Sequence, residues 1–178
     1  MKNLVRPLTR CLVLLLICCP AVHARLKDSE TESRERYGSP LRNAFKSPWP
    51  MVPGGGEKSY DFEGWRITAA YHRGTTVAIK YMRLSKPGES VRELKDYEIK
   101  AILDAEAGGG QWKPAGTINP AETLSKMVTN SSEWKTTNGR TAKKVATTIT
   151  LELPEAEAIR RAAKAQIEKE RKESVPAF

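Results

Sequence analysis

The sequence predicts a two-layer α+β fold, an antiparallel sheet of about four strands (ββαββ) packed on one helix, plus a C-terminal charged helix. Three observations predict it. Residues 64–82 hold two runs of alternating apolar and polar side chains around a short turn containing Gly74. Residues 91–107 change to the apolar spacing of a helix. Residues 131–153 return to extended patterning around Asn138-Gly139. A period of two places alternate side chains on opposite faces of a strand, and a period near 3.6 gathers them on one side of a helix.

The chain has 178 residues and a formal net charge of +9. Residues 1–24 read as a secretory signal peptide: Lys2, Arg6 and Arg10 form a basic start, Cys11 to Cys19 a short apolar run, and Val22-His23-Ala24 the residues before a cut after Ala24. The apolar run is too short to span a bilayer. Neither Cys18, after Ile17, nor Cys19, after Cys18, follows the small residue that a lipoprotein box requires. The expected mature chain is therefore secreted or periplasmic, with no transmembrane span. All three cysteines leave with the leader, which excludes disulfides, thiolate ligands and cysteine nucleophiles from it. His23 leaves as well, so a Ser-His-Asp triad or a histidine-containing metal site would have His72 alone to use. Three of the positive charges also go. The moderately basic remainder suits an anionic envelope surface, and solubility alone would also explain it.

Residues 25–59 are expected to form a disordered arm rich in proline, glycine and charge, because they carry too little apolar surface to offset the entropy of ordering. Trp49, between prolines, is a candidate anchor. Gly54-Gly55-Gly56-Glu57-Lys58-Ser59 lacks the Gly-Lys-Ser order and the preceding strand of a phosphate loop. The domain proper is expected over 60–153. Trp65, Ile67, Ala69 and Tyr71 share one face of the first strand, and Val77, Ile79 and Tyr81 one face of the second. Ser90 and Glu93 match a capping box, which starts a helix over 91–107, or as late as Asp96. Gly108, Gly109 and Gly110 follow that helix. Phosphate-binding glycines precede a helix, where free N–H groups point outward, so these read as a C-cap with Trp112 turning back onto the core. Lys113 to Ser125 is a connection, and Asn130-Ser131-Ser132 matches a glycosylation sequon. A two-residue turn at Asn138-Gly139 would set Trp134 opposite Lys143 and Ser132 opposite Val145. Val145, Ile149, Leu151 and Leu153 would then line the buried face. Residues 154–178 are a charged helix and tail, begun by Pro154. Its narrow Ala156, Ile159, Ala163, Ile167 stripe would lie on the sheet edge, project from it, or pair with another copy.

Candidate sites are few. Trp65, Trp112 and Trp134 fall where the pattern predicts core, against the alternative of a sugar-stacking surface. His72 and Arg73 at the first turn, with Trp112, are the candidate ligand contacts. Glu98, Asp104 and Glu106 lie on one helix and show no recognisable acid pair. Thr68, Ala70, Thr76, Ala78, Thr148 and Thr150 make a flat face of small side chains, a candidate oligomer surface. Lys143-Lys144 and Arg160-Arg161 are basic pairs, not a stripe interleaved with aromatics, so nucleic acid is not an expected partner. No catalytic, metal or cofactor set is expected.

Gly64-Trp65, Tyr81, the Glu98-Ile99-Ile102-Leu103 helix, Gly108 to Trp112, and Trp134 with Asn138-Gly139 and Ala142 resemble a pattern of small exported bacterial proteins of unknown function. The resemblance covers about residues 64–153. It implies an architecture and a secreted bacterial origin, and no activity. The expected function is that of a secreted or periplasmic non-catalytic protein, a monomer or weak homodimer, binding a partner protein or envelope surface. Two alternatives stay open: a hydrolase or transferase accessory domain using carboxylates of the Glu98–Glu106 helix, and a weak binder of anionic polysaccharide or lipopolysaccharide.

Overall fold

Two tight turns begin the sheet. Glu63 and Gly64 have φ of +49° and +79°, and Arg73 and Gly74 have +51° and +84°. Two consecutive positive φ values match the twist of the flanking strands, so each pair reverses the chain in two residues. They join β1 (Gly56–Phe62), β2 (Trp65–His72) and β3 (Thr75–Arg83) into an antiparallel meander. The structure is a computed structural model that describes residues 25–42, 50–86, 88–116 and 131–174. The expected signal peptide, Trp49 and Asn130 lie outside the described residues.

After β3 the chain forms α2 (Asp96–Ala105), then β4 (Trp112–Pro114) at the far edge, and returns through β5 (Ser131–Thr136), β6 (Thr141–Val145) and β7 (Thr148–Glu152). Strand β7 closes onto β3, giving the order β1-β2-β3-β7-β6-β5-β4, antiparallel at every pair. Two more helices, α1 (Glu30–Tyr37) and α3 (Pro154–Glu173), complete the described elements. Among the described residues the fold is thus a strand-rich, seven-stranded antiparallel sheet with three helices, which corrects the expected four strands on one helix.

The extra strands have identifiable origins. Helix α1 and the first part of β1 lie in residues 25–59, expected to be disordered. Ser29 and Glu32 make a reciprocal capping box there, with the Ser29 N–H donating to Glu32 Oε2 at 2.7 Å. Leu26, Tyr37, Val52 and Tyr60 are all buried. Few apolar residues sufficed because each is nearly fully enclosed. Strands β6 and β7 read as one run in the sequence, but Ala146 takes φ +49° and turns the chain, pairing Val145 with Thr148. No glycine or asparagine marks that turn.

One face of the sheet carries Tyr60, Ile67, Ile79, Tyr81, Ile149 and Leu151, all buried. Ile67, Tyr81 and Ile149 stand side by side across β2, β3 and β7. Helix α2 supplies Ile99, Ile102 and Leu103 to this core, and α1 supplies Tyr37, whose ring lies 5.5 Å from that of Tyr60. On the other face, Ala70 and Ala78 pair across β2 and β3 and are 0% exposed. Val52 and the start of α3 join the same core, with Ala156 buried and Met51 and Ile159 packed against it. Arg160 fastens α3 by bonding Glu152 at the end of β7 and the Met51 carbonyl. Farther along, Ile167 is exposed and the helix projects.

Ala146 pays for its left-handed conformation with a Cβ that crowds the following carbonyl, a penalty of roughly 1–2 kcal/mol. Ala146→Gly is expected to stabilise the fold by up to about 1 kcal/mol after the greater backbone freedom of glycine is subtracted, read as a higher urea midpoint with unchanged slope.

Candidate binding groove

Helix α2 is fastened at both ends by a buried acid. At its start, Glu98 accepts the Lys95 N–H at 3.0 Å and bonds from Arg92 Nη1 and Nη2 at 2.8 and 2.7 Å. This replaces the expected Ser90–Glu93 box. Residues 91–95 stay outside the helix because Glu98 holds both Arg92 and the Lys95 amide. Hydrogen bonds from Arg92, opposed by burial, bring the Glu98 carboxyl down to about 2. Arg83 approaches it at 3.9 Å and also lies over the Trp65 ring.

At the other end, Glu106 is 0% exposed. Its carboxylate accepts the backbone N–H groups of Arg25 and Leu26, each at 3.0 Å, and the Tyr81 hydroxyl at 2.5 Å. Its carbonyl accepts Arg140 Nη1 at 2.6 Å. Burial pushes the Glu106 carboxyl upward, against these donors, and burial followed by the charge of Glu106 pushes the Tyr81 hydroxyl far upward.

The glycine run then ends the helix. Gly108 has φ +55°, and a Cβ there would lie 2.0 Å from the Arg140 guanidinium. The Asn138 side-chain amide donates to the Gly108 carbonyl at 3.2 Å. Trp112 folds back so that its indole N–H donates to the Leu103 carbonyl at 2.6 Å. That carbonyl also accepts the Glu106 N–H at 3.1 Å, so the indole adds a second donor to it at the helix end.

This return leaves α2 over the centre of the sheet and the outer strands β4 and β5 beside it. Between them lies a groove of about 770 Å³. Ile99, Lys100, Leu103 and Asp104 border it from α2, and Trp112, Pro114, Ser132, Trp134 and Lys144 from the sheet. Pro114 stands directly opposite Trp134, and Trp134 opposite Ala142, so both indoles face the helix side. Trp112 and Trp134 are half-buried. Charges of both signs surround them: Lys100 pairs with Asp104 at 2.5 Å, and Lys144 lies 3.8 Å from Glu93.

The candidate ligand contacts do not come together. His72 and Arg73 sit at the β2–β3 turn, where the Thr75 hydroxyl donates to the His72 carbonyl, whereas Trp112 is on edge strand β4. Trp65 is also away from the groove, beside Arg83 and Tyr97 in a hollow of about 360 Å³. The three acids of α2 are likewise separate: Glu98 faces Arg92, Asp104 faces Lys100, and Glu106 faces Tyr81 and the N-terminal amides. The small-residue face is partly interior. Ala70, Thr76 and Ala78 are buried within the chain, and Thr76 bonds the Asp28 carbonyl through both its N–H and its hydroxyl. Thr68, Thr148 and Thr150 remain half-exposed. Among the described residues no cluster of three or more His, Cys, Asp or Glu could hold a metal ion, and no helix is long and apolar enough to cross a membrane.

Sequence reasoning missed Trp134 and Lys144 as groove residues because it set the β5–β6 register one residue off. The loop spans Thr137, Asn138 and Gly139, closed by Thr136 and Arg140, with φ +82° at Gly139 alone. A three-residue loop of this kind is the next commonest hairpin connection after the two-residue one. The slip exchanges faces along the whole strand. Lys144, 6% exposed, points inward where Val145 was expected, and Val145 is 40% exposed.

Gly108→Ala would force the buried Arg140 off the Glu106 carbonyl and keep an unfavourable φ. It is expected to destabilise by about 2 kcal/mol or more, measurable as a lower urea midpoint. Glu98 gives a pH signature. Its folded value lies below the ordinary 4.5, so its contribution is present above 4.5 and disappears as pH falls through about 2. In Arg92→Ala the loss should begin at higher pH, seen in acid titration of the circular dichroism signal. Comparison with family models, with curated proteins and with solved structures found no match to this chain.

Proposed function

We propose that this chain is an exported, non-catalytic binding protein, and that a partner protein docks in the groove between α2 and strands β4–β5. The observation that carries the reading is the pair of half-buried indoles, Trp112 and Trp134, presented on adjacent strands toward one groove. A partly exposed tryptophan in a concavity offers large contact area at little conformational cost, and such residues dominate protein interfaces. The mixed signs of Lys100, Asp104, Asp96 and Lys144 around the indoles suit a polypeptide, which carries charges of both signs.

A second reading, a weak binder of anionic polysaccharide, has one observation in its favour. Lys113 and Lys135 lie directly opposite each other on β4 and β5, both exposed. Like charges placed so repel unless an anion lies between them.

The test is capture from an envelope extract by the tagged chain, with Trp134→Ala as the groove variant and Lys113→Ala/Lys135→Ala as the edge variant. Loss of the captured protein at least tenfold in Trp134→Ala, with circular dichroism unchanged, supports the groove. Capture that survives Trp134→Ala removes it. Salt-sensitive retention on heparin that needs Lys113 and Lys135 would favour the polysaccharide reading.

A further inference from the structure

The backbone nitrogen of Arg25 lies 3.0 Å from Glu106 Oε2, in a part-buried position. Its position is set by main-chain register. The Lys27 N–H donates to the Thr76 carbonyl and the Thr76 N–H to the Asp28 carbonyl, each at 2.8 Å, which lays residues 27–28 along the start of β3. Leu26 is 1% exposed. Arg25 is also the residue that follows the cut expected from Val22-His23-Ala24.

Glu106 has the Arg25 and Arg140 charges nearby, but its carboxylate lacks a direct cationic partner among the described residues. It lies just beyond the last turn of α2, where the helix carbonyls already present partial negative charge. Among the described residues no cationic side chain bonds its carboxylate. The Arg25 guanidinium reaches the Tyr81 hydroxyl instead, at 3.4 Å, and Arg140 is engaged with the Glu106 carbonyl. A buried carboxylate held only by neutral donors is costly to ionise, consistent with the upward direction of its pKa.

We propose that hydrolysis of the Ala24–Arg25 bond completes this site, by converting the Arg25 nitrogen from an amide into an α-ammonium paired with the Glu106 carboxylate. Water adds to the Ala24 carbonyl and the C–N bond breaks. The new carboxyl leaves with the leader, and the freed amine takes up a proton, as α-amines do near neutral pH. The nitrogen need not move, since it already donates to Glu106. Processing and folding are then linked: the mature chain carries a buried ion pair that the precursor cannot form. The proposal shares the expectation of export with the functional reading and is independent of the groove, so either can fail alone.

The test compares the chain beginning at Arg25 with the same chain acetylated at that amine and with one retaining Ala24. A charge-assisted bond exceeds a neutral one by enough to predict at least about a tenfold larger folding constant for the free Arg25 form. The pairing raises the amine pKa above its ordinary value of roughly 7.7–8.0, so the advantage is complete below that pH and vanishes as pH rises through the raised value. Tyr37, Tyr81, Arg25 and Arg140, the other titratable side chains around the carboxylate, are common to all three forms and cancel in the comparison. Glu106→Gln should make the three forms equal. If that variant does not fold, the amine pKa read by nitrogen NMR in the wild-type chain decides, and a value at or below about 8 overturns the proposal. Equal stability of the free and acetylated forms, or an exported product whose mass shows a start other than Arg25, also overturns it.

Discussion

Glu106 is buried beyond the C-terminal turn of α2, where a negative charge is least welcome, and the surrounding structure is arranged around that difficulty. Its carboxylate draws in the first backbone amides of the described chain and the hydroxyl of Tyr81 from the middle of the sheet. Its carbonyl draws in Arg140 from the loop between β5 and β6. One residue therefore ties α2, the N-terminal segment, β3 and the outer hairpin to each other. The same demand explains Gly108, since only a residue without Cβ leaves room for the Arg140 guanidinium. Truncating any partner would leave a buried polar group unsatisfied, which costs more than the bond itself contributes.

At the other end of α2, Glu98 plays a comparable part with a different cation. Arg92 covers it in two hydrogen bonds, and Arg83 bridges toward Trp65. With both termini fixed, the remaining side of the helix is free to border an opening. Two opposed requirements meet there. Trp112 returns to bond the Leu103 carbonyl beside the Glu106 N–H, and the strand it begins must still reach Trp134. The result is a concavity whose apolar floor belongs to the sheet and whose charged rim belongs largely to the helix.

The sequence was most legible where chain-local chemistry decides conformation. Alternation identified β2 and β3, Pro154 marked the start of α3, and the position of Gly108 after an apolar helix distinguished a stop from a phosphate loop. It was least legible where tertiary enclosure decides. Leu26, Tyr37 and Val52 lie in a segment of disordered composition, yet each fills a place prepared by the sheet and helices. The Ala146 turn has no residue that prefers positive φ, so pairing of β6 with β7 must impose it. The β5–β6 register was ambiguous by one position because Asn-Gly serves two loop lengths. That single step removed Trp134 and Lys144 from view as neighbours in the groove.

The join between β3 and β7 separates two meanders that are each local in sequence. Strands β1 to β3 can pair as soon as they exist, and so can β4 to β7, but the central ladder joins Thr75–Arg83 to Thr148–Glu152, segments far apart in the sequence. Closing so long a loop costs entropy before any contact compensates. Until it closes, β3 presents an unpaired apolar margin in Ile79 and Tyr81, the kind of strand edge that recruits other chains. The continuity that makes this sheet a single surface thus also sets the interval in its assembly when self-association competes most strongly with folding.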